Sequence, residues 1–182
     1  FADKVISNLN PKLLFKKLVD KNDVDQEYRR KILNYKCGSG TFRMNVALSE
    51  LPDFNCIPGK NISEHHKSGI VIAPTLTYMD QAFTDAKQYG WSKNPIVEML
   101  IPSTVDSTLA PEGKHVASLF CQQFAPTLPD NKSWHDEKGK AANTIIETVN
   151  QLAPNFKESI LGMSILSPLD LEEKLGLVGG DI

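Results

Sequence analysis

Between Thr41 and Ser49 the chain alternates with period two. Phe42, Met44, Val46 and Leu48 fall on one side, and Thr41, Arg43, Asn45 and Ala47 on the other. Successive side chains of a strand point to opposite faces, so this stretch reads as a strand with one apolar face to bury and one mixed face. It commits the chain to a sheet. Gly38-Ser39-Gly40 releases the chain into this strand, and Pro52 and Pro58-Gly59 mark the loop that leaves it.

Further strands follow by the same reading. Ile70 to Ala73 is short, β-branched and ended by Pro74, and Pro95 to Ile101 is closed by Pro102. In His115 to Phe124, Val116, Ser118, Phe120 and Gln122 oppose Ala117, Leu119, Cys121 and Gln123. Lys4-Val5-Ile6-Ser7 also looks strand-like. Ser103 to Gly113 reads as loop.

Helices announce themselves by their caps. Asn10-Pro11 places a capping side chain before a proline at the first helical position, with Leu13, Leu14, Leu18 and Val19 as the apolar face. A second helix is expected after Asp23, with Gln26 at capping-box spacing and Tyr28, Ile32 and Tyr35 on one side. Thr77 to Tyr89 turns helical, with Met79, Phe83 and Ala86 on one face and Gly90 past its end. Ser133 and Asp136 open a long helix whose stripe is Ala141, Ile145, Val149 and Leu152, stopped by Pro154. Ser167-Pro168-Leu169-Asp170 starts a last one, with Leu171 and Leu175 facing inward and Gly176 ending it. The fold class that follows is α+β, a mixed or antiparallel sheet covered by helices. With no convincing linker or repeat, residues 1–182 are expected to form one domain.

Composition is that of an ordinary globular chain, 41% apolar and 23% charged, with a formal net charge of −2 and the signs interspersed. The basic stripe of a nucleic-acid footprint is missing, so no nucleic-acid partner is expected. No apolar run approaches a membrane span, and no basic segment leads into a signal core. Cys37, Cys56 and Cys121 are widely spaced and odd in number, which suggests reduced thiols and a cytoplasmic setting.

The usual catalytic constellations are not found. No glycine-rich dinucleotide fingerprint or phosphate loop occurs. His65-His66 is an adjacent pair in a loop, which reads as solvated and not as a metal chelate. His115 and His135 lack acidic or thiol neighbours at metal spacing, so no metal is expected. Cys121 in an apolar strand reads as an inert buried thiol. Gly38-Ser39-Gly40 does not meet the nucleophile-elbow pattern. Trp91 and Trp134, near helix boundaries, read as packing residues.

Several segments in order resemble one known family. They are Ala2 to Pro11 with its Ser7-Asn8; Ser39 to Ser49 followed by Leu51-Pro52-Asp53-Phe54; and Ile101-Pro102-Ser103 with Asp106, Leu109-Ala110-Pro111 and Gly113-Lys114-His115-Val116. Ser118 to Pro126, Pro154 to Ile160, Leu166 to Glu172, and Gly176 to Ile182 complete the order. Together they resemble the flavin-dependent phytoene-desaturase-like oxidoreductases, and more closely their "pyridine nucleotide-disulfide oxidoreductase domain 2" branch. The resemblance implies a substrate-binding section, the sheet-and-helix domain of a flavin amine oxidase or phytoene desaturase-like fold, set between two halves of an FAD-binding domain. The opening at Phe1 without Met and the ending at Gly179-Gly180-Asp181-Ile182 fit an internal section whose flanking halves lie outside it.

On that resemblance the parent protein is an FAD-dependent oxidoreductase acting on a hydrophobic or polyene-like small molecule. This section alone is expected to be inactive and not to retain FAD. Its partners are the substrate and the flanking FAD-binding domain of the same chain, with peripheral membrane contact open for the parent. Gly179, Gly180 and Asp181 would approach flavin and substrate, because glycine permits close backbone approach; a plain turn is the other reading. Arg43 and Asn45, on the mixed face of the first strand, would line a pocket, or simply lie on an exposed sheet face. The alternative for the whole chain is a non-catalytic α+β binding or interaction domain.

Overall fold

A computed structural model describes residues 2–38, 40–59 and 61–182; Ser39 of the glycine-flanked break lies outside them. The chain runs α1 (Pro11–Leu13), continued by a π-helical turn (Leu14–Leu18), then α2 (Gln26–Leu33), β1 (Phe42–Leu48), α3 (Glu64–Lys67), β2 (Ile70–Ile72) and α4 (Leu76–Tyr89). It continues with β3 (Trp91–Leu100), β4 (His115–Phe124), α5 (Trp134–Asn150), α6 (Phe156–Ser159), β5 (Ile160–Leu166) and α7 (Pro168–Leu175). The five strands form one sheet in the order β2-β3-β4-β1-β5, and every pairing is antiparallel. This is the expected α+β class with the antiparallel form of the sheet.

The alternation of β1 predicts its burial residue by residue. Phe42, Met44 and Leu48 are fully buried and Val46 nearly so. Val97, Met99, Ala117, Leu119 and Cys121 join them on the same face, and Ala141, Ala142, Ile145, Ile146 and Val149 of α5 belong to the same core. Burying a full aliphatic or aromatic side chain contributes roughly 1.5–3 kcal/mol, so this layer supplies most of the driving force. Trp134 is buried, stacks on Trp91 at 5.5 Å and donates from Nε1 to the Ala125 carbonyl at 2.9 Å, a packing role as expected.

Helices do not cover both faces. Ile96 shares the second face with Glu98 and Leu100 and is buried outside the main core, as are Ala82 and Ala86 of α4. α4 therefore closes one end of that face, and the remainder is open. Its inward positions are Ala82 and Ala86, while Met79 and Phe83, expected inside, are 42% and 43% exposed. The correction is one of phase: the small alanines let the helix approach the β3 end closely, and the larger residues point away.

Other expectations shift for local reasons. Lys4 to Ser7 is not a strand, and Val5 and Ile6 are 85% and 99% exposed; a strand exists through its ladder, and none of the described residues pairs with it. The cap of α2 is Asp25, which accepts from the Tyr28 amide at 2.8 Å, so the Asp23–Gln26 box does not form. Ser133 caps α5 through the His135 amide and not through a box with Asp136. At α7 the box is complete: Ser167 and Asp170 exchange side-chain-to-amide bonds, and Pro168 occupies the first position. Leu171 is buried there, whereas Leu175 lies outward, as does Leu152, which falls in the turn after α5 and not on the helix.

β5 was not legible as a strand. Ile160-Leu161-Gly162-Met163-Ser164-Ile165-Leu166 lacks apolar alternation because it is an edge strand, paired on one side with β1, exposed from Leu161 to Ser164 and half-buried at its ends.

Candidate functional site

The open face of the sheet is built by register. Arg43 on β1 stands opposite Phe120 on β4, Phe120 opposite Glu98 on β3, and Glu98 opposite Val71 on β2. In the adjoining row Asn45 faces Ser118, and Ser118 faces Leu100. Apart from Asn45, the residues of these two rows line a groove of about 330 Å³ that crosses the sheet from β1 to β2. That volume lies at the lower end of what small-molecule sites use.

Among the described residues Arg43 is the one cation of the groove. Its Nη2 donates to Ser118 Oγ at 3.1 Å, and its guanidinium sits 5.2 Å over the Phe120 ring. A guanidinium carries five N–H donors, and among the described residues no carboxylate pairs with it. Glu98 lies on the far side of Phe120 and accepts from Gln122 Nε2 at 3.1 Å. Val71 and Leu100 are 62% and 57% exposed and form the apolar end of the groove.

Asn45 is exposed and does not share the Arg43 groove. It lies in a shallower depression with Ala47, Val116 and Ser164, toward β5. Both β1 residues thus occupy the open face, on neighbouring patches.

Gly179, Gly180 and Asp181 sit at the entry to β1. Asp181 bridges to Gly40, and the Thr41 amide donates to the Gly180 carbonyl at 3.1 Å. Gly179 and Gly180 both have φ in the left-handed region, at 67° and 64°. A Cβ on Gly179 would come within 2.8 Å of the Cys37 carbonyl oxygen, and one on Gly180 would overlap Pro168. The space that these glycines leave is therefore filled by the chain's own backbone. They hold the end of α7 to the start of β1 and line neither depression.

The histidine pair differs from its expected solvated state. His66 is fully buried in α3: its Nδ1 accepts from the Ser63 amide at 3.2 Å, and Nε2 donates to the Pro52 carbonyl at 3.0 Å. That assignment uses both ring nitrogens of a neutral imidazole. His65 stacks on it, with ring centroids 3.9 Å apart, and its Nε2 is buried without a partner. Burial, then the neighbouring His66, lowers the His65 pKa. Burial, then His66, likewise lowers that of His115, whose Nδ1 lies 3.4 Å from Ser103 Oγ. The loop was misread because Phe54 and Pro52, which enclose the pair, reach it only through the fold.

Among the described residues no group of three His, Cys, Asp or Glu side chains is arranged to hold a metal ion. Cys121 is fully buried, and burial pushes its thiol far above the ordinary range, which makes it inert. No helix of the described residues is long and apolar enough to cross a membrane. Among the described residues no glycine-rich turn leads from a strand directly into a helix to cradle the pyrophosphate of a flavin dinucleotide; α7 follows β5 through Ser167-Pro168. α4, which follows a strand directly, opens through Ala73-Pro74-Thr75 without glycine, and the glycines at 179 and 180 are packed against the chain itself.

The face missed in the sequence was half visible. The sequence places Val116, Ser118, Phe120 and Gln122 on one side of a strand, yet nothing local brings Glu98 and Val71 beside Phe120. No family model matches the chain. The relatives it does match carry the name of the narrower branch read from the ordered segments. Over 98% of its length the chain is 36% identical to pyridine nucleotide-disulfide oxidoreductase domain-containing protein 2 of Rattus norvegicus and, equally, of Mus musculus, and it is similar to a section of those proteins, spanning 32% of their length.

Proposed function

We propose that this chain is the substrate-facing section of an FAD-dependent oxidoreductase, and that its open sheet face is one wall of the substrate chamber. The observation that carries the proposal is that face itself. Among the described residues it presents Phe120, Leu100 and Val71 with a single guanidinium, and no helix covers it beyond the α4 end. The likeness to a section of an oxidoreductase-domain protein supports the same reading.

In this reading the flavin is held by the part of the protein outside residues 1–182, and when bound it supplies the electron transfer. The present residues bind and orient. Phe120, Leu100 and Val71 exclude water from an apolar substrate, and Arg43 fixes its polar end. The substrate class is hydrophobic; a polyene is one member of it. Residues 1–182 act as one domain and work only with the flanking FAD-binding region.

The test uses the full-length protein. Purified protein should show bound flavin by its visible absorption, and Phe120→Ala should raise KM with flavin content unchanged. A full-length protein that neither copurifies with flavin nor takes it up on reconstitution would sink the proposal.

A further inference from the structure

We infer that the Arg43 groove selects an amphipathic carboxylate, an apolar chain carrying one acidic end, over an uncharged molecule of the same shape. This rests on the proposed substrate-facing role and narrows the substrate class of that site.

Four observations support it. Arg43 is half-buried and oriented from two sides, by the 3.1 Å bond to Ser118 Oγ and by the Phe120 ring beneath it. Held in this way, the guanidinium loses little rotamer freedom on binding, which favours recognition of a planar anion. No carboxylate of the described residues pairs with it. The fork can therefore accept a ligand carboxylate in two parallel bonds, the stronger kind of charge-assisted contact.

The rest of the groove fits the other end of such a ligand. From Arg43 it passes Phe120 and Leu100 to Val71, three strand spacings or about 14 Å, the reach of an extended acyl chain. Glu98 sets the polarity. It lies one strand beyond Phe120 with an oxygen engaged by Gln122, and its charge repels an acidic head there. The head is directed to the β1 end and the tail toward β2. Among the described residues, Arg43 and Glu98 are the only titratable groups lining the groove.

Competition binding on the full-length protein, against an environment-sensitive apolar dye, tests the idea with a medium-chain fatty acid and the alcohol and amine of equal length. The acid should bind about tenfold tighter than the alcohol, and the amine most weakly. Arg43→Gln should bring acid and alcohol to within about twofold, while Arg43→Lys keeps part of the preference as a point charge. Near-UV circular dichroism checks that the variants remain folded, and the wild-type series decides the matter even if they do not. Equal binding of acid and alcohol, a preference for the amine, or an acid preference that survives Arg43→Gln would each overturn the inference. Flavin content is read on the same samples, so a flavin-free protein that still prefers the acid separates failure of the proposed function from failure of this one.

Discussion

Lys138 Nζ lies 3.2 and 3.1 Å from the two carboxylate oxygens of Asp170, tying the second turn of α5 to the first turn of α7. Asp170 also bonds Lys174 at 2.8 Å and the Ser167 amide and hydroxyl. Burial opposes its charge, but the bonds from Lys174, Ser167 and Lys138 together outweigh that cost and hold the carboxyl far below the ordinary range. A depressed carboxyl stabilises the fold fully above its unfolded pKa of about 4, and the contribution fades as pH falls below that value. Asp170→Asn should cost about 2–4 kcal/mol at neutral pH in urea titrations, because it leaves Lys138 and a cap unmatched. The variant should also lose less stability than the wild type between pH 5 and pH 3.

The close approaches around the entry to β1 predict which glycines tolerate a methyl group. A Cβ on Gly40 would overlap the Phe124 carbonyl, and one on Gly180 would overlap Pro168 at a left-handed φ. Gly40→Ala and Gly180→Ala should each lower stability by about 2 kcal/mol or more. Gly139 lies exposed inside α5 with open space around it, so Gly139→Ala should stabilise by about 0.5–1 kcal/mol. Thermal melts of the three variants check the ordering.

Acid sensitivity near neutrality should arise from the histidine cluster. His65 and His115 have lowered pKa values in the folded state. Each therefore binds a proton more readily when unfolded, so stability present above about pH 6.5 declines as the pH falls below it. Phenylalanine at His65 should flatten part of that decline, since it keeps the stacking on His66 and removes the unpartnered buried nitrogen. Denaturation midpoints at pH 7.5, 6.5 and 5.5 measure it; an unchanged slope in His65→Phe would count against the assignment.

Thiol labelling should separate the three cysteines. Cys56 is exposed and Cys37 half-buried, while Cys121 is enclosed by the core. With a small alkylating reagent under native conditions, Cys56 should react first and Cys121 only after unfolding. Peptide mapping after timed quenching reads the order.

Sequence alone determined the elements whose causes lie within a few residues. The alternation of β1, the Asn10-Pro11 and Ser167–Asp170 caps and the stripe on α5 were legible because a strand's pleat and a helix's first turn are satisfied locally. Where a residue's state depends on a distant partner, the reading failed: β5 as an edge strand, His66 in its buried pocket, Met79 and Phe83 turned outward, Lys4 to Ser7 without a ladder. The site divides in the same way. Arg43 and Asn45 were visible as the polar side of β1, and Phe120 as one side of β4. Only the antiparallel pairing β2-β3-β4-β1 set Arg43, Phe120, Glu98 and Val71 in one row and left that face open. Strand order is decided by how the whole apolar surface is best buried against α5, and no local pattern carries that information.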